Sequence, residues 1–180
     1  MVKRSIRCIS LLFIGCGISY FCLDNYKLNI DKIENKNIIN NFLYGNNNFE
    51  AILEIPDIKF KRGLYKKDDI KSNIDKNIIF LDSSDMPDVD NSRVIIVGHS
   101  GAPSNAYFKD LFKLKLNSYI YMYYKNIKYT YKVTDIYEIK KNGTLALESN
   151  KNNKTLTLVT CKGLDKQLVI ISTLIKEKLI

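Results

Sequence analysis

Beyond its first 23 residues the chain carries one cysteine, Cys161, and one histidine, His99. A thiolate can attack a carbonyl, and an imidazole can hand a proton to a leaving amine and take one from an incoming amine. Together the two residue types suffice for acyl transfer. Cys8, Cys16 and Cys22 all fall in one N-terminal apolar stretch, so Cys161 has no intrachain disulfide partner downstream of it. Zinc is the rival use of cysteine and histidine, but a zinc site needs about three or four ligands and this pair does not supply them. Asp82, Asp85, Asp88 and Asp90 lack the spacing of a calcium loop and fit a solvated acidic turn. No metal or other cofactor is expected.

Two strands must position the pair. Cys161 closes the run Thr155-Leu156-Thr157-Leu158-Val159-Thr160, in which a period of two sets Thr155, Thr157, Val159 and Cys161 on one face. Val94-Ile95-Ile96-Val97 is apolar at every position, which predicts a central strand buried on both faces and ending at Gly98-His99. Adjacent placement of these two strands would bring thiol and imidazole side by side.

The remaining pattern predicts further strands over 51–55, 58–64, 78–81, 119–124, 128–139 and 168–174, with short helices over 68–75 and 106–116. Eight short strands with only small helices predict an all-β sandwich or barrel. A closed barrel is favoured because closure removes exposed edges. At 180 residues and 46% hydrophobic composition there is material for one folded core. The net charge of +9 is spread through lysines scattered among asparagine and isoleucine, without a basic stripe interleaved with aromatics, so nucleic acid is not an expected partner.

Residues 5–23 are nearly all apolar or small after Arg7, and at helical rise they approach the ~30 Å of a hydrocarbon core. Lys3, Arg4 and Arg7 would hold that end in the cytoplasm, leaving the rest of the chain outside. The run ends without a small-x-small cleavage pattern, which favours an uncleaved single-pass anchor over residues 1–23 rather than a removed signal peptide. A linker over 24–49, with a short helix near 26–43, then leads to a domain over 50–180.

These motifs resemble those of the sortase family. Val94-Ile95-Ile96-Val97-Gly98-His99 is similar to the strand that carries the sortase histidine, and Thr155-Leu156-Thr157-Leu158-Val159-Thr160-Cys161 to the Thr-Leu-x-Thr-Cys strand of its nucleophile. Glu54-Ile55-Pro56-Asp57-Ile58 resembles the family's first strand and turn, and Tyr107-Phe108-Lys109-Asp110-Leu111 the short helix after the histidine. The resemblance implies an eight-stranded β-barrel and a membrane-tethered cysteine transpeptidase. Such an enzyme cuts a Leu-Pro-x-Thr-Gly (LPXTG) sorting signal after Thr and holds it as a thioester on Cys161. It then passes the signal protein to an amine of a cell-wall peptide, a lipid-linked wall precursor or a pilin lysine. The family also places an arginine at the start of the last strand, whereas this chain has no arginine after Arg93 and carries Gln167 there. Gln167 could donate a hydrogen bond, but an amide does not reproduce a bidentate guanidinium. Thr160, Lys162 and Lys166 are the expected substrate contacts, the two lysines supplying the missing charge. A sortase-like module that binds sorting signals or pilins without catalysis, and an exported cysteine peptidase that hydrolyses, are the alternatives.

Overall fold

Apolar side chains at every second position bury one face of a strand and leave the other for a second layer or for solvent. In the computed structural model, eight such runs join into a single sheet. The structure describes residues 17–23, 25–26, 42, 49–101, 105–141 and 153–180. Most of the expected anchor and linker lies outside these residues, and so does the helix expected near 26–43. Residues 17–23 are helical. Among the described residues no helix is long and apolar enough to cross a membrane.

The strands are β1 (Ala51–Ile55), β2 (Phe60–Leu64), β3 (Ile79–Phe80), β4 (Arg93–Val97), β5 (Tyr119–Tyr124), β6 (Ile127–Lys140), β7 (Thr155–Lys162) and β8 (Lys166–Leu179). Their order in the sheet is β2-β1-β5-β6-β8-β7-β4-β3. Neighbours are antiparallel throughout except β4 and β7, which run parallel. The core holds alternate residues of every long strand, among them Leu53, Ile55, Val94, Ile96, Ile120, Met122, Leu156, Leu158, Leu168 and Ile170. A second apolar cluster of Ile95, Val159 and Val169, flanked by Val97, Tyr137, Ile139 and Ile171, uses the alternate positions on the other face.

The barrel is nearly closed rather than closed as expected. β2 and β3 end the strand order, and β3 is two residues long, too short to form a second ladder. Side chains bridge the seam instead: Asn77 Nδ2 donates to the Gly63 carbonyl at 2.9 Å, and Arg62 Nε donates to Asn77 Oδ1. Other expectations also shift. The strand predicted to begin at residue 58 begins at Phe60, because Pro56 opens a 3-10 turn (Pro56–Ile58) that ends on Lys59 in the left-handed region at φ 52°. Residues 68–75 form turns in place of a helix, since the Asp69 and Asn73 carboxylate and amide oxygens accept from the Lys71 and Asp75 backbone N–H groups, each at 2.8 Å. Such local bonds compete with the helical ladder. The helix predicted over 106–116 contracts to the 3-10 turn Leu111–Lys113, with Phe108, Leu111 and Leu114 still buried.

One buried group is costly to this core. The Tyr131 hydroxyl is enclosed without a hydrogen-bond partner among the described residues, and burial pushes its pKa well above that of an ordinary tyrosine. Tyr131→Phe removes an unsatisfied hydroxyl while keeping the ring, so it should stabilise by about 1 kcal/mol. For a chain of this size that raises Tm by roughly 2–4 °C in a thermal melt. A fall in Tm would show that the hydroxyl is satisfied after all.

Candidate active site

The parallel β4–β7 ladder sets the geometry. Its last pair aligns Val97 with Val159, so two residues further along each chain His99 comes level with Cys161 at the same end of the sheet. Gly98 N donates to the Val159 carbonyl at 3.3 Å, and Thr160 Oγ1 donates to the Gly98 carbonyl at 2.7 Å. Ser100 Oγ donates to the Cys161 carbonyl, and Phe108 N donates to that of His99 at 2.9 Å. The backbone on both sides of the histidine is therefore tied down even though the strand has ended. Gly98 has a specific reason to lack a side chain: a Cβ there would lie 2.8 Å from Ile78 Cγ2 and 3.0 Å from Phe108 Cδ2. Any larger residue would force Ile78, Phe108 or the His99 segment itself to shift.

Cys161 is a free, half-buried thiol near the end of β7, and its strand alternates it with Val159 on the outer apolar face. Across the β7–β8 ladder its partner is Gln167, and across β6–β8 the partner of Gln167 is Ile139. Ile139, Gln167 and Cys161 thus form a row running over three adjacent strands, and His99, two residues past the end of β4, comes level with it. Tyr137, Val169, Val159 and Val97 make the next row below it. An extended peptide laid along these rows would meet an apolar floor beside a thiol, an imidazole and a primary amide.

Of the expected substrate contacts, Thr160 is buried and its hydroxyl is spent on Gly98. Lys162 and Lys166 each follow or precede a residue of the row by one position, so they fall on the opposite face. Both ammonium groups are held there by Glu138, Lys166 at 3.2 Å, and the structure does not bring them to the row. Between them lies a three-residue turn that starts at Gly163 with φ 71°. Lys162 and Lys166 hold the Glu138 carboxyl below the usual carboxylate range. A carboxyl depressed in this way contributes its tie above the ordinary carboxylate range and loses it as pH falls through the lower, folded-state value. Protection of the amides in residues 162–166, corrected for the intrinsic pH dependence of exchange, should therefore fall in Glu138→Gln at neutral pH, while in the native chain it should fall only once the pH drops through that lower value. Equal protection in the two chains would remove the role assigned to Glu138.

One neighbour of the histidine was not foreseen. Asp75 Oδ1 lies 3.0 Å from His99 Nε2. Nothing local marks Asp75, which sits 24 residues earlier in a polar turn and reaches the site only because that turn folds over the seam of the barrel. Of the aspartates expected to form a solvated acidic turn, Asp85 Oδ2 accepts from Arg93 N at 2.9 Å and Asp88 pairs with Lys125 at 2.8 Å. Among the described residues no group of three or more histidine, cysteine or acidic side chains is gathered as for a metal.

Comparison with known proteins agrees with this fold. The Sortase domain family matches residues 53–175. Sortase A of Staphylococcus aureus (strain NCTC 8325 / PS 47) is 28% identical over 111 residues, covering 61% of this chain and 53% of that protein, so the chain spans about half the length of the curated relative it matches. The crystal structure of sortase C1 from Streptococcus agalactiae superposes with a TM-score of 0.63 at 29% identity, over 73% of this chain and 69% of that one. Sortase A from Corynebacterium diphtheriae gives 0.64 at 23% identity, over 71% and 61%, a likeness of fold. With the family's domain matched from β1 into β8 and a nearly closed eight-stranded barrel of the same fold, this chain belongs to the sortase family.

Proposed function

We propose that the protein is a cysteine transpeptidase that cleaves an LPXTG-like sorting signal and transfers the signal-bearing protein to an amine. The observation that carries this reading is the parallel β4–β7 register, which sets His99 level with Cys161 at one end of the sheet. Cys161 gives its thiol proton to His99 and attacks the carbonyl carbon of the signal's Thr, and the C–N bond breaks as His99 passes that proton to the departing glycine amine. The acyl group stays on sulfur as a thioester. An incoming amine then attacks that carbonyl, His99 takes its proton and returns it to the departing sulfur, and the thiol is released. Gln167, opposite Cys161 in the β7–β8 ladder, directs its amide N–H at the oxyanion. The acceptor is an amine of a cell-wall peptide, of a lipid-linked wall precursor or of a pilin lysine. The N-terminal apolar run serves as a single-pass anchor that keeps enzyme, exported substrate and acceptor at one membrane surface, raising their effective concentration.

A second reading has a specific observation in its favour: Gln167 stands where the resemblance expects arginine, so the domain could bind sorting signals without turning them over. Incubating the full chain with a library of LPXTG-like peptides and an added amine, and weighing the products by mass spectrometry, separates the two. A thioester on Cys161 with transfer supports the transpeptidase. Binding without an adduct supports the idle module, and peptide release without transfer points to a hydrolase. Gln167→Ala should lower kcat for transfer by about 10²-fold, the scale for loss of one oxyanion donor. Gln167→Arg should retain transfer, and an unchanged kcat in Gln167→Ala would remove the amide from the mechanism.

A further inference from the structure

Asp75 is drawn to His99 by more than chance exposure. Its side chain is 74% exposed, and a solvated ion pair of this kind ordinarily contributes little. The turn that carries it is nevertheless clamped on both sides. Tyr107 Oη donates to the Lys76 carbonyl at 2.8 Å, the Arg62 guanidinium lies 3.6 Å over the Tyr107 ring, and Asn77 is bonded to Gly63 and Arg62 across the seam. Within the turn, Asp75 N donates to Asn73 Oδ1 at 2.8 Å and Asn77 N to the Asn73 carbonyl at 2.8 Å. The carboxylate is thus presented to the imidazole by a fixed backbone, and the backbone of His99 is fixed in turn by Phe108 and its neighbour Gly98.

An imidazole works as a proton carrier at one nitrogen only if the other is held, and a carboxylate can accept but not donate. With Nε2 given to Asp75, Nδ1 is the nitrogen left for Cys161 and the substrate amine. We infer that Asp75 is a positioning residue that holds the His99 proton on Nε2 and so presents Nδ1 to the reacting thiol. The inference rests on His99 being the acid/base of the proposed transfer, although the proton's place on the ring is measurable without any turnover.

Because the chain has a single histidine, its ring nitrogens give one set of NMR signals. The ring should be recorded in ¹⁵N-histidine-labelled full chain carrying Cys161→Ala, on the alkaline plateau where its signals no longer change with pH. The proton is expected on Nε2. Asp75→Asn adds an amide N–H that can donate to Nε2, so in that background the Nδ1–H tautomer should become populated, whereas Asp75→Glu should keep the native signals. With Cys161 present, Asp75→Asn should lower kcat for transfer at least about tenfold with KM unchanged, and Asp75→Glu should restore most of it. Ring signals identical in the native and Asp75→Asn chains, or an unchanged kcat, would overturn the assignment. If the native chain forms no thioester at all, the transpeptidase reading fails, and the ring signals alone decide what Asp75 does.

Discussion

Cys161→Ala is expected to abolish thioester formation and to lower kcat/KM for transfer by at least about 10³-fold, while leaving the fold and peptide binding in place. The size follows from the proposed chemistry: without its nucleophile only desolvation and the proposed oxyanion donor remain, and enzymes stripped of a nucleophile fall by several orders of magnitude. The fold should persist because Cys161 is half-buried at the end of β7, past the core residues Leu156 and Leu158, and its backbone remains paired to Gln167. Mass spectrometry of the intact chain after incubation with peptide reads the adduct directly, and a melt reads the fold. A peptide adduct on the Cys161→Ala chain would place the acyl group elsewhere and end the proposed mechanism. Retained transfer without an adduct would do the same.

That the thiol and imidazole stand out in the sequence as candidates has a simple cause. Each is alone of its kind past the apolar N-terminus, and each follows a run whose apolar pattern is strong enough to stand by itself. Their neighbourhood was harder to see. β4 and β7 are far apart in sequence and run parallel, and no local signal announces a pairing of that kind. Asp75 lay hidden for the same reason, since its approach to His99 depends on a turn folded across the seam. Lys162 and Lys166 are adjacent or close to Cys161 and Gln167 in sequence, yet strand alternation sends them to the opposite face, where Glu138 pairs with both. The long β8 shows where apolar pattern stops being informative. Lys176, Glu177 and Lys178 carry no alternation of hydrophobicity, yet they continue the strand because Thr130, Tyr129 and Lys128 of β6 pair with them.

His99→Ala should cost between about 10² and 10⁴ in kcat/KM, the usual worth of a positioned acid/base. The loss should fall on kcat rather than on peptide affinity. Stability should move little, because the His99 side chain is one-third exposed and the bonds that fix this segment are made by its backbone and by Thr160. Imidazole added to the buffer should recover part of the rate in His99→Ala and none in Cys161→Ala, which separates a missing proton carrier from a collapsed site. The double variant should be scarcely slower than Cys161→Ala alone, since groups that act on one bond as a unit are strongly non-additive. Additive losses would mean that His99 and Cys161 act independently, and the level pairing of their two strands would then be architecture without chemistry.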